Sequence, residues 1–190
     1  MARARKSAMA AVIGALVFCL VTVMAQEHGK EKPGEVYPQP KPGPEAEKLK
    51  FQLGTFKTVE KHESGPGFAG GEGKGTMTAR LGPGGLSLIT EYKSTGPMGS
   101  FAGHGLTVWD AEAGLYKMHW VDSFTAGSMD MTGRWEGKDL VFNGQTKFMG
   151  KTYHMKEVYT DITPTSYTLK MYMGESGPDA LMFTMKAVRQ

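Results

Sequence analysis

The stretch "LYKMHWVDSF", residues 115–124, sets His119, Trp120 and Asp122 within four positions. Imidazole and carboxylate together can hold a metal or relay a proton, provided both reach the same point. On a strand, side chains alternate and residues three apart point to opposite faces. One set here is Tyr116, Met118, Trp120 and Asp122; the other is Leu115, Lys117, His119 and Val121. The first set is bulkier and Lys117 needs water, so the first set is expected indoors. That turns His119 outward and Asp122 inward near the strand end, and a regular strand then forbids a dyad. A four-residue loop "AEAG" with Gly114 left-handed would set Trp109 against Tyr116, Thr107 against Met118 and Gly105 against Trp120. Glycine opposite tryptophan makes room for the indole. His104 joins His119 on the outer face, where solvated histidines are commoner than a two-histidine metal site, and no metal is assigned.

Glu157 is the most informative polar residue. In "GKTYHMKEVYTD" it shares a face with Tyr153, Met155 and Tyr159, so burial is expected. A buried carboxylate costs several kcal/mol, on the order of one lost salt bridge or more, unless it is paired or protonated. Arg80 and Arg189, at strand ends, are the candidate partners. Glu157 would either orient a ligand's polar head, act as an acid or base, or pin the strand register by hydrogen bonding. Methionine pairs occur in "MDM" at 129–131 and "MYM" at 171–173. Paired thioethers suit Cu(I), but core packing explains them better, and parity turns His154 outward with Lys156.

Other motifs fall short of chemistry. "GPGFAGGEGKG" lacks the lysine–hydroxyl ending of a phosphate loop and no helix comes after it, so it reads as a flexible hairpin connection or lid. No paired-histidine zinc pattern and no Gly-x-Ser-x-Gly elbow is present. Ser94, Ser100 and Ser123 lie near strand ends without a recognisable base. No cofactor is called for.

The elements that must position these residues are strands. Ten short alternating runs are separated by glycine- and proline-bearing turns: about 52–62, 73–81, 86–95, 101–109, 115–123, 128–136, 139–148, 151–161, 166–174 and 181–189. Short connections imply an antiparallel up-and-down meander. Ten such strands would leave long edges unless the sheet closes, so an all-β closed barrel is expected ahead of a β-sandwich. "PEAEKLKF", residues 44–51, fits one helical turn with Pro44 at its first position.

The N-terminus reads differently. Residues 1–25 combine the basic "MARARK", an apolar run and a small-residue site at Ala25, as in a signal peptide. Its removal takes three of the 22 basic residues and none of the 19 acidic ones, so the remainder is neutral and has no electrostatic case for nucleic acid. Cys19, the single cysteine, leaves too. Residues 26–47 carry five prolines among charges and read as a spacer, leaving 48–190 as the barrel domain. Periplasmic or secreted placement is expected, without stable membrane insertion after cleavage.

"FQLGTFKTVEK" resembles the Gly-x-Trp opening strand of calycins, the superfamily of lipocalins and fatty-acid-binding proteins. "GLTVWDAEAGLYKMHWVDSF", "GRWEGKDLVF" and "GKTYHMKEVYTDITPTSYTLKMY" resemble the bacterial family of domain of unknown function 1579, over about residues 49–190. The resemblance implies a lipocalin-like barrel, commonly exported, with no established activity. Phe56 stands where the family's plugging tryptophan is usual.

The expected work is reversible binding of a small, largely apolar molecule between the sheet walls. Tyr116, Met118, Trp120, Tyr153, Met155, Glu157 and Met171 form the expected lining, with Trp120 as a stacking surface and Glu157 as the polar anchor. Two other classes stay open. One is an enzyme in which Glu157, with Tyr153 or Asp122, moves a proton on a bound substrate. The other is an interaction module with a filled core.

Overall fold

A computed structural model describes residues 39–65, 69–148 and 150–190. The expected signal peptide, and the spacer up to residue 38, lie outside the described residues. Every helix and strand among the described residues belongs to the unit Pro40–Gln190.

Helix α1 (Pro44–Lys48) continues into a 3₁₀ turn, Leu49–Gln52. Pro44 opens α1 because its missing N–H would be unpaired there anyway. Ten strands come next: β1 (Gly54–His62), β2 (Gly71–Leu81), β3 (Ser87–Gly96), β4 (Gly99–Asp110), β5 (Leu115–Asp122), β6 (Met129–Glu136), β7 (Asp139–Phe148), β8 (Lys151–Thr160), β9 (Ser166–Gly174) and β10 (Ala180–Arg189). Each pairs antiparallel with the next, and β10 returns to β1, so the sheet closes as an up-and-down barrel without an unpaired edge. The β-sandwich alternative is thereby excluded.

The register of β4 and β5 follows the expected hairpin. Trp109 faces Tyr116, Thr107 faces Met118 and Gly105 faces Trp120. Gly114 takes φ 66, a conformation glycine adopts freely, and its N–H donates to the Asp110 carbonyl at 2.9 Å. The indole of Trp120 lies over Gly103 and Gly105: a Cβ on Gly103 would collide with it and one on Gly105 would crowd it.

Alternation shapes β1 as well. Phe56, Thr58 and Glu60 are buried while Lys57, Val59 and Lys61 are exposed. β2 answers with glycine: Gly75, Gly73 and Gly71 stand opposite Thr58, Glu60 and His62. These three glycines belong to "GPGFAGGEGKG". Strand β2 begins at Gly71, two residues ahead of the expected start at 73, so it takes in the end of the stretch whose composition suggested a lid or connection. A Cβ on Gly73 would sit 2.6 Å from Glu60 Oε2, so the bare strand makes room for that carboxylate.

The base of the barrel, where β1 begins and β10 ends, is filled by aromatic side chains. Phe56 is fully buried and meets Tyr167 edge-on with ring centres 5.2 Å apart. Phe51, on the 3₁₀ turn, packs edge-on against Tyr167, Tyr159 and Trp135. Phenylalanine therefore serves as the plug. Arg189 covers it with its guanidinium 4.7 Å from the Phe56 ring centre and donates to the carbonyls of Leu53, Phe51 and Pro164. Gly54, at φ 104, leaves the space that this guanidinium occupies.

Candidate functional site

Above the plug the side chains do not meet across the axis. They leave a hollow of about 720 Å³, opening between the turns after β1, β3 and β5. That volume falls in the range of small-molecule pockets, roughly 300–1,000 Å³. Nine methionines among the described residues line it, giving the wall a flexible, polarisable apolar surface. A bulge between Leu181 and Phe183 on β10 lets Met182 and Phe183 both border the space despite being adjacent.

Five of the seven expected lining residues border the hollow: Met118, Trp120, Met155, Glu157 and Met171. Tyr116 and Tyr153 do not. Both share the predicted face, but parity carries no information about depth along the axis. Tyr116 lies in the base, fully buried. Its hydroxyl accepts from Trp135 Nε1 at 3.1 Å and sits 2.9 Å from Glu45 Oε2, which ties α1 to the barrel floor. Tyr153 is half-buried, two residues nearer the mouth than Met155.

Residues 115–124 are arranged as alternation requires. His119 is exposed, and its Nδ1 lies 2.7 Å from Asp130 Oδ1 on neighbouring β6. Asp122 faces in, takes the Trp120 indole N–H on Oδ2 at 3.1 Å, and takes the backbone N–H groups of Phe124 and Thr125 on Oδ1. It thereby sets the indole's angle and anchors the β5–β6 turn. Phe101 stacks near-parallel to Trp120, 11° between planes and 6.5 Å between centres, and Phe124 meets Phe101 edge-on.

Glu157 is 9% exposed, between Phe142 on β7 and Met171 on β9. Neither expected arginine reaches it. Arg189 is engaged at the base, and Arg80 is exposed on β2. Burial without a cation pushes the Glu157 carboxyl up to about 7, and the Tyr159 hydroxyl, the neighbour that hydrogen-bonds it, pulls more weakly the other way.

A second buried carboxylate escapes a reading centred on β8. Glu60 is 1% exposed and has both oxygens engaged: Oε1 accepts from the Tyr92 hydroxyl, and Oε2 stands 2.9 Å from His62 Nε2. Thr58 Oγ1 is 3.3 Å from the same Tyr92 hydroxyl. Burial and the Glu60 charge push the Tyr92 phenol well above its ordinary range. The signal was available. Once Phe56 is placed indoors, "FKTVEKH" puts Thr58, Glu60 and His62 indoors by the same two-residue rhythm.

Met129, Met171 and Met173 face the hollow, and Met131 is buried in the wall. Among the described residues no group of three or more His, Cys, Asp or Glu side chains is placed to hold a metal ion. No helix among them is long and apolar enough to cross a membrane.

Comparison with known proteins adds a family and a fold. Residues 41–189 match the family described as "Protein of unknown function (DUF1579)". No curated protein matches the chain. Among solved structures, the S-type phycobiliprotein lyase CPES from Guillardia theta is similar with a TM-score of 0.50 and 9% identity, over 76% of this chain and 91% of that one. A redesigned β-barrel bound to DFHBI is similar with a TM-score of 0.40 and 13% identity, over 73% of this chain and 99% of that one. At such identities the likeness is one of fold alone.

Proposed function

The chain belongs to the DUF1579 family, and on that footing we propose that it is an exported barrel that reversibly holds a small, largely apolar molecule in its hollow. The observation carrying this reading is the contrast within one cylinder. The base is packed solid, while about 720 Å³ above it is bounded by thioethers and aromatic faces and opens to solvent. Trp120 supplies the stacking surface, held at a fixed angle by Asp122, and Met118, Met155 and Met171 supply adaptable apolar contact. Glu157 supplies the polar anchor. Tyr116 and Tyr153 act behind the lining as supports. Export rests on the pattern of residues 1–25, and the proline-bearing spacer would hold the barrel clear of the translocation site.

Protein purified from its own host and sprayed intact should carry a non-covalent mass that denaturation releases. Trp120 fluorescence should shift when apolar probes are added, and Met155→Trp, which fills the hollow, should abolish that shift. A barrel indifferent to every apolar probe, with an unchanged intact mass, refutes the reading.

An enzyme is the second reading, favoured by one observation: the Glu157 carboxyl is poised near neutrality beside open space. Turnover that vanishes in Glu157→Gln while binding persists would select it over a carrier.

A further inference from the structure

The ionisable side chains bordering the hollow are unbalanced in sign. Among the described residues, besides the tyrosines Tyr92 and Tyr159, they are Glu60, His62, Glu63, Asp122 and Glu157, with no lysine or arginine. Three of the four acids are already engaged. Glu60 is held by Tyr92 and His62, Asp122 by Trp120 and two backbone N–H groups, and Glu63 by Lys61 at 2.7 Å. Glu157 differs from them. It is nine-tenths buried, its partners on the neighbouring strands are Phe142 and Met171, and among the described residues its hydrogen-bond partner is Tyr159. A carboxylate has room for about four acceptor contacts, so most of its capacity is unused.

We propose that the guest is an amphiphilic organic cation, an amine on an apolar body, whose nitrogen seats on Glu157. This deepens the carrier reading above and rests on it. The physical case is one of compensation. An amine entering the hollow loses hydration, and only a buried carboxylate without its own cation can return that loss as an ion pair. Trp120, Phe101 and Phe124 border the hollow, and aromatic rings attract cations through the negative side of their quadrupoles. A carboxylate guest meets the opposite situation, since it would lie among acids, with no lysine or arginine among the described lining residues to receive it and His62 already held by Glu60. The raised carboxyl of Glu157 agrees with such a seat. A cation beside it would draw the group back to its ionised form and expel a proton on binding.

The test uses the full chain and three probes of equal length: decylamine, 1-decanol and decanoate, each below its aggregation threshold at pH 7. Trp120 fluorescence and calorimetry read affinity. Decylamine should bind at least tenfold tighter than 1-decanol, with decanoate weakest. Calorimetry in two buffers of different ionisation enthalpy should show proton release for decylamine and none for 1-decanol. Glu157→Gln should bring decylamine to the level of 1-decanol. Equal binding of all three, tightest binding of decanoate, or an amine preference surviving in Glu157→Gln overturns the proposal while leaving the carrier reading standing. Failure of all three to bind removes the carrier reading, and this proposal with it. Should Glu157→Gln not fold, the wild-type order of affinities and the proton release decide.

Discussion

The two halves of this barrel use the same strands for opposite ends. At the base, inward positions carry Phe56, Tyr116, Phe142, Tyr159 and Tyr167, joined by Phe51 and Trp135, and most of their rings contact one another edge-on. Toward the mouth, inward positions carry glycine, threonine and methionine beside Trp120 and Phe101, and Glu60 and Glu157 add buried carboxyl groups. Space is filled below and left open above. Stability and function thereby separate along one axis: the lower half specifies the fold, and the upper half is free to be chemically unusual.

That division can be broken most forcefully at the plug. Phe56→Ala should cost about 3–5 kcal/mol, the usual loss for removing a fully buried ring, whereas Met171→Ala at the half-buried hollow wall should cost about 1 kcal/mol. Urea denaturation midpoints compare the two directly, and equal losses would erase the distinction between halves.

Glu157 probes the upper half through pH. Its folded carboxyl lies near 7 against an ordinary value of 4.5, so between those values the folded chain keeps a proton that the unfolded chain has released. Wild-type stability therefore falls as pH climbs through that window. Glu157→Gln, neutral throughout, should match wild type at pH 4.5 and exceed it by about 2–3 kcal/mol at pH 8. Thermal melts across that range give the profile, and a difference independent of pH would contradict the buried, unpaired carboxyl.

Tyr92→Phe removes the hydroxyl from Glu60 and leaves one buried oxygen without its donor, at a cost of about 1–2 kcal/mol. Denaturant titration against wild type measures it, and an unchanged midpoint would mean that water takes the hydroxyl's place. The smallest effect belongs to the outer face. His119→Ala breaks an exposed pair with Asp130 and should change stability by less than about 0.5 kcal/mol and ligand binding not at all. A binding loss there would mean that the outside of the wall, not the hollow, carries the activity.

Much of this architecture is legible in the chain alone, because alternation and turn chemistry are local. The ten strands, their antiparallel meander, the β4–β5 register and the opposite facings of His119 and Asp122 follow from neighbours within a dozen residues, and closure follows as the remedy for the two long edges such a meander would leave. Depth is not legible. Tyr116 and Trp120 share a face of β5, yet one seals the base and the other borders the hollow, since tilt and stagger decide height and are properties of the closed sheet. Partnership is not legible either. The Arg189 expected near Glu157 is held at the base by the carbonyl of Pro164 and by those of Leu53 and Phe51, 136 and 138 residues away along the chain. The glycines of β2 give two signals at once: their composition suggests a connection, while their spacing at every second position marks a strand face without side chains, and the strand begins at Gly71 rather than at the expected 73.

The seam between β1 and β10 has a kinetic consequence. Lys57 must find Val188, so the cylinder cannot seal until nearly the whole chain has been delivered. Without that seam the nine other ladders would make a ribbon with two bare margins, the condition under which strands of separate molecules join each other. Arg189, in the final strand, is the residue that ends this exposure: its arrival ties the last ribbon to the first and to the plug in a single step.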